Sequence, residues 1–211
     1  MGVREEKKQR LRSELYETAV ELFRERGFDA TRVQDVIERV GVTEPTFFNH
    51  FPTKEAVLEE FAARALDGFI VRLRQEVDDA SRPIGEKVRS LLGSVAELFS
   101  SDRDFMAVVA TRSSLFLGAR GEVLERELGM YSLVTELLRR AQHRGELRRE
   151  LDPARLAETF TGAYMLAVIN WLVGWWGERD DLAGRLQELG DVILSGCLTG
   201  PGRSRRARNR A

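Results

Sequence analysis

Apolar residues recur at three- and four-residue intervals along most of the chain, the spacing of one face of an α-helix. Leu11, Leu15, Ala19, Leu22 and Phe23 mark a first helix over about 4–26, and Gly27 stops it. Val33, Val36, Ile37 and Val40 mark a second, ended by Gly41. Thr31-x-x-Gln34 fits a capping box at its start, with the hydroxyl taking the N3 amide and the Gln reaching back. After Val42, Thr43 can cap a third helix from Glu44 to about Phe51. Pro45 is tolerated there, because first-turn amides have no intrahelical partner. Pro52 ends that helix and Thr53 caps a long fourth, with Leu58, Phe61, Ala62, Ala65, Leu66, Phe69 and Leu73 on one stripe, running to about Ala80.

Beyond Pro83 the spacing predicts helices over 84–99, 102–116, 121–144, 153–176 and 181–198. Asp152-Pro153 opens the fourth of these as a cap followed by Pro at the first helical position. No run of strand alternation with turn signals interrupts the pattern. The expected fold is all-α, with about nine helices and no internal repeat. Residues 201–211 are low in apolar side chains and are expected to be a disordered basic tail.

The 211 residues are 43% hydrophobic and 32% charged, enough for a real core and too polar for a polytopic membrane protein. One cysteine, Cys197, excludes an internal disulfide and a Cys-rich zinc module. Two histidines, His50 and His143, leave little for a metal site or a Ser-His-Asp triad, so neither metal nor cofactor is expected. The start, Met1 to Leu15, has no apolar stretch of the signal-peptide kind. The most apolar segment, Ala163 to Trp176, is shorter than the ~18 residues that suggest a membrane span. A soluble cytoplasmic protein without a membrane partner is the expectation.

Two short helices joined at a Gly-containing corner describe a helix-turn-helix. In the third helix, Phe47 and Phe51 are four apart and can anchor it to the core. That leaves Glu44, Pro45, Thr46, Phe48, Asn49 and His50 outward, a hydroxyl, amide and imidazole surface suited to base edges and phosphates. An outward Phe48 fits a sugar-phosphate backbone better than water. Thr53-Lys54 opens the fourth helix, where free amides and a cation suit one phosphate.

The stretch from Leu15 to Leu58 resembles the DNA-binding domain of the tetracycline-repressor (TetR) family. The matching residues are Ala19-x-x-Leu22-Phe23-x-x-x-Gly27-Phe28, Ala30-Thr31, Asp35-Val36, Gly41-Val42-Thr43, Thr46-Phe47-Phe48-Asn49-His50-Phe51 and Lys54-Glu55-x-x-Leu58. The resemblance implies a dimeric, ligand-responsive transcriptional regulator, usually a repressor, and not an enzyme. It implies a helix-turn-helix domain over 1–58 and a ligand-binding and dimerisation domain over 59–200. It also implies that Thr46 and Phe48 touch phosphate or base in the major groove, while Glu44, Pro45 and Asn49 face bases. Thr43, His50 and Lys54 would hold phosphates. Thr31, Arg32 and Gln34 would stand at the head of the second helix against the flanking DNA. Two residues depart from the common pattern: Phe48 replaces the usual Tyr, and Glu44 is acidic where a neutral or basic residue is commoner.

The helix over 153–176 is apolar on nearly every face from Ala163 onward, so it must be covered on several sides. One side can line a cavity and another a twin subunit. The resemblance implies a C2 homodimer through the last two helices, on double-stranded DNA with a palindromic operator. Phe99, Phe105, Met106, Arg112, Phe116, Tyr131, Tyr164, Asn170 and Trp171 are the candidate ligand set. Such aromatics with a few polar groups suit a small apolar or aromatic effector.

Two rival readings are an architectural DNA binder using the basic tail and a small helical enzyme. The enzyme reading lacks a metal-spaced cluster, a Gly-rich phosphate loop and a nucleophile elbow. The formal net charge of -1 argues at first sight against a nucleic-acid partner. A small reading face built from hydroxyls, amides and helix ends does not need a basic domain. The charge then predicts a gentle salt slope, with discrimination resting on base contacts and dimer spacing.

Overall fold

The computed structural model describes residues 2–113, 121–175, 177 and 181–199. Among the described residues there are nine helices: α1 Val3–Arg26, α2 Val33–Val40, α3 Glu44–His50, α4 Glu55–Asp78, α5 Ile84–Ser100, α6 Arg103–Arg112, α7 Gly121–His143, α8 Pro153–Leu172 and α9 Leu182–Cys197. The only pairing of extended backbone among them is an isolated antiparallel bridge between Leu147 and Leu198. Phe116 and the basic tail over 201–211 lie outside the described residues.

Several helix starts are set by capping side chains. Asp152 accepts from the Ala154 amide at 2.9 Å ahead of Pro153, and Asp181 accepts from Ala183 at 3.0 Å. Thr53 accepts from Ala56 at 3.2 Å at the head of α4. Helix α2 departs from expectation. It starts at Val33, and the Arg32 amide donates to the Asp35 carboxylate at 2.7 Å. The capping box expected of Thr31 and Gln34 does not form, because the Thr31 hydroxyl is buried and donates to Leu22 and Gly27 carbonyls at 3.2 and 2.8 Å. Helix α8 ends at Leu172, four residues short of the expected end.

The chain groups into two compact units. The described residues of Met1–Ala65 and Asp102–Val123 form the first, and those of Leu66–Ser101 and Leu124–Ala211 the second. The first unit buries Leu15, Ala19, Leu22 and Phe23 of α1, Val36 and Ile37 of α2, and Leu58 of α4. Helix α6 belongs to it: Phe105 packs edge-on against Phe61 at 4.9 Å, with the Arg24 guanidinium 4.9 Å from the same ring.

In the second unit α9 packs against both α5 and α8. Gly190 is what allows the close approach, since a Cβ there would lie 2.7 Å from Leu92 Cδ1. Carbonyls at the end of α4 and just beyond it are taken by cations from α5 and α7. Lys87 donates to Glu76 and Asp79, and Arg140 to Val77 at 3.0 Å. No described helix is long and apolar enough to cross a membrane, and no described cluster of His, Cys, Asp or Glu could hold a metal.

Candidate nucleic-acid interface and ligand cavity

The corner between α2 and α3 turns on Gly41, whose left-handed backbone (φ 80°, ψ 37°) disfavours any residue with a Cβ. The Gly41 and Val42 amides both donate to the Ile37 carbonyl, at 2.8 and 3.0 Å, so α2 stops and α3 starts with only three residues between them. Extended Thr43 offers its carbonyl to the Thr46 and Phe47 amides. Its hydroxyl shares a 2.9 Å hydrogen bond with that of Thr46.

Phe47 and Phe51 are buried, with ring centroids 5.8 Å apart, and they hold α3 onto the first unit. Phe48 stands edge-on to Phe47 and is 42% exposed. Glu44, Pro45 and Asn49 are exposed, while Thr46 and His50 are partly covered. The structure therefore brings the predicted α3 residues together on one outward face. Arg32 and Gln34 are exposed at the head of α2, where the Gln34 amide donates to Glu38 at 2.7 Å. Thr31, predicted beside them, is fully buried with its hydroxyl turned to the chain itself.

Two cations brace this face from beneath. Arg12 donates to the His50 carbonyl and to Glu60 at 2.6 Å, with its guanidinium 4.3 Å from the Phe51 ring centroid. Lys54 donates to the Phe28 and Thr31 carbonyls at 2.6 and 2.9 Å, and its ammonium lies 4.1 Å from the Phe28 ring centroid. Sequence reasoning missed Arg12, whose partners are 38 and 48 residues away. His50 Nδ1 is buried without a partner. Burial, then the charges of Arg12 and Lys8, hold the His50 imidazole below its ordinary pKa.

A cavity of about 60 Å³ lies within the second unit. Helix α5 lines it with Val88, Leu91, Leu92 and Val95, and α7 with Met130, Val134, Leu137 and Leu138. Phe160, Thr161 and Tyr164 of α8 and Phe69 of α4 complete the wall. Of the predicted ligand set, Tyr164 lines this cavity. Burial, with the Glu127 carboxylate adding, pushes its phenol up to about 12.

The other predicted ligand residues stand elsewhere. Phe99 and Trp171 are buried in α5 and α8. The Tyr131 hydroxyl donates to the Ala154 carbonyl at 2.6 Å. Phe105 and Met106 are core residues of the first unit, and Arg112 pairs with Asp29 there at 3.2 Å on the surface. The cavity wall of α5 was visible in the sequence only as an apolar stripe, which is also the signature of core.

Asn170 lines an open groove between α8 and α9, with Ala163, Leu166, Leu189, Val192 and Ile193. Leu166 is 59% and Val192 72% exposed, a large apolar surface left in the single chain.

Residues 15–61 match the profile of the bacterial regulatory proteins of the tetR family. The HTH-type transcriptional regulator TcmR of Streptomyces glaucescens is 30% identical over 174 residues, which cover 80% of this chain and 72% of that protein. The HTH-type transcriptional repressor KstR2 of Mycobacterium tuberculosis is 35% identical over 80 residues, 38% of this chain and 40% of its own length. Among solved structures, the TetR-family transcriptional repressor FadR of Thermus thermophilus, in complex with lauroyl-CoA, matches with a TM-score of 0.70 at 26% identity. That match covers 92% of this chain and 98% of that one.

Proposed function

The chain belongs to the tetR family of bacterial regulatory proteins, and we propose that it is a cytoplasmic, ligand-responsive repressor that binds a palindromic operator as a homodimer. The observation that carries this reading is the outward face of α3. A phenyl ring 42% exposed stands beside Thr46 and Asn49, while Phe47 within the helix and Phe51 just past its end are buried. Such a ring wastes apolar surface in water and gains contact against a sugar edge or a thymine methyl.

In this reading residues 1–58 form the reading domain, and 59–200 hold the effector and the dimer contact. Pro45, Thr46, Phe48 and Asn49 enter the major groove, and Glu44 accepts from a cytosine amino group. Thr43, His50, Arg32 and Gln34 meet the flanking backbone. Lys54 keeps its two carbonyls and lends its positive charge to the same phosphates. Two copies of α3 stand about 34–36 Å apart, one helical turn of B-DNA, through a dimer that pairs α8 and α9 with their twins.

The effector occupies the cavity of α5, α7 and α8, as an apolar group would. That FadR was solved with lauroyl-CoA supports an effector with a hydrocarbon part. Binding that favours a DNA-incompetent state by ~1–3 kcal/mol lowers occupancy severalfold or more.

Footprinting of the intergenic DNA beside the protein's own gene tests the reading. Two protected half-sites of inverted sequence, one helical turn apart, are expected. Equal affinity for random DNA at every salt concentration would point to an architectural binder instead.

A further inference from the structure

We propose that the first turns of α1 are a further DNA-contacting surface, on which Arg4 and Lys8 pair with the sugar-phosphate backbone beside the bases that α3 meets. The inference rests on the reading of α3 as the helix that enters the groove. It assigns to the same partner a surface that α2, α3 and α4 do not provide.

The pattern of α1 is the first observation. Leu22, Ala19 and Leu15 face the core of the first unit and are buried. The same three- and four-residue spacing continues toward the N-terminus through Arg12, Lys8 and Arg4. One helix face is thus apolar where the unit covers it and basic where it runs past the unit. Residues 3–10 are helical and exposed throughout. At about 100° per residue, Lys7 flanks the basic row on one side and Glu5 on the other.

Arg12 fixes where that row leads. Its guanidinium donates to the carbonyl of His50, the last residue of α3, and pairs with Glu60 at 2.6 Å. The row therefore leaves the unit beside the C-terminal end of α3. Lys8 stands within electrostatic reach of the outward face there: burial lowers the His50 pKa most, and the charges of Arg12 and then Lys8 add to it. At ~1.5 Å per residue, Lys8 and Arg4 follow about 6 and 12 Å beyond Arg12 along the axis. Long cationic side chains so spaced suit a row of phosphates.

Nothing within the chain accounts for these cations. Neither Arg4 nor Lys8 forms a hydrogen bond or ion pair among the described residues. Arg4 in the first turn opposes the helix dipole, which Glu5 and Glu6 complement. A polyanion beside α3 gives both cations the partner that the chain lacks. Phosphate contacts fix register without reading sequence, so this surface adds affinity on any duplex while α3 discriminates.

The test compares the full-length protein with Arg4→Gln/Lys8→Gln by fluorescence anisotropy over a salt series. Two duplexes of one length are used, the intergenic DNA beside the protein's own gene and a random sequence. The double variant is expected to bind both duplexes about tenfold or more weakly at about 0.1 M salt. The slope of log K against log salt should fall by about 1.8, two phosphates at ~0.9 each. Melting temperature should be unchanged, because both side chains are exposed. Arg149→Gln/Arg155→Gln removes the same charge from exposed sites of the second unit and should keep the wild-type slope.

A wild-type slope in Arg4→Gln/Lys8→Gln overturns the inference while leaving α3 on the DNA. So does a loss confined to the intergenic duplex, or an equal fall in the second-unit variant. Wild-type protein that binds the two duplexes equally overturns the reading of α3 itself.

Discussion

The ammonium of Lys54 donates to the carbonyl of Thr31 at 2.9 Å, tying the head of α4 to the chain that enters α2. A second bond to the Phe28 carbonyl and the Phe28 ring beneath make this a structural cation. Lys54→Ala is therefore expected to destabilise the protein by about 2–3 kcal/mol, the order of one charge-assisted bond with its packing. At roughly 2–4 °C per kcal/mol for a chain of this size, the melting temperature falls by about 4–12 °C. A residue serving only phosphate would leave the melting curve unchanged, so thermal denaturation without DNA separates the two roles.

Phe48 gives the opposite signature. Its ring is largely exposed, and Phe47 and Phe51 anchor α3 without it. Phe48→Ala is expected to leave the melting temperature within about 2 °C, as surface substitutions do. It should weaken operator binding at least tenfold, measured by fluorescence anisotropy. Phe48→Tyr adds a hydroxyl within reach of phosphate and should tighten binding. Unchanged affinity in both variants would remove α3 from the DNA.

His50 is expected to link operator binding to pH. In the free protein burial and the charges of Arg12 and Lys8 hold its pKa below the ordinary 6.5. The unfolded chain therefore binds the proton more readily. The stability contribution is fully present above about pH 6.5 and is lost as pH falls through the lowered folded value. A phosphate beside the ring acts the other way, favouring the imidazolium. Operator binding should then take up protons, and affinity should rise as pH falls from 7.5 to 6. His50→Gln should flatten that slope. A slope of the same sign and size in the variant would assign it to another group.

Much of this site was legible because its logic is local. The spacing of Phe47 and Phe51 identifies the buried side of α3, and what remains faces outward. Gly41 and Thr43 mark a corner that two amides on one carbonyl then close. What was not legible depends on reach. Lys54 finds its carbonyls 23 and 26 residues back, and Arg12 finds His50 38 residues on. No periodicity reports a flexible side chain bridging such a span. Thr31 misled for a related reason: a hydroxyl before a helix can cap it or close the helix before, and only burial decides. The cavity was hidden because Val88, Leu91, Leu92 and Val95 obey the same 3–4 spacing whether they face a neighbour or a ligand.

Lys87 is expected to be among the least replaceable residues of the second unit. It is fully buried, and its ammonium closes the end of α4 by donating to the Glu76 and Asp79 carbonyls. Lys87→Met keeps most of the volume and removes the donor, leaving helix-end carbonyls unsatisfied. A loss of about 2–4 kcal/mol follows, since charge-assisted bonds are worth ~1.5–3 kcal/mol and unsatisfied buried acceptors cost ~1–3 kcal/mol each. Denaturant titration should show a lower midpoint with an unchanged slope. Equal midpoints would mean that Arg140, on the neighbouring Val77 carbonyl, suffices alone.

The groove between α8 and α9 provides the last test. Leu166 and Val192 present apolar side chains from adjacent helices to water in the single chain. Specific dimers bury about 800 Å² per partner, with apolar anchors at the centre. If these two residues lie at that centre, Leu166→Asp with Val192→Asp places like charges across the two-fold axis, where each meets its own copy or its neighbour's. Light scattering coupled to size exclusion should then show the mass of a single chain instead of twice that mass. The core beneath is untouched, so helical content and the first unit should be unaffected. Operator affinity should nonetheless fall by orders of magnitude, because one reading helix holds one half-site. A double variant that remains a dimer with wild-type affinity would move the interface to another face.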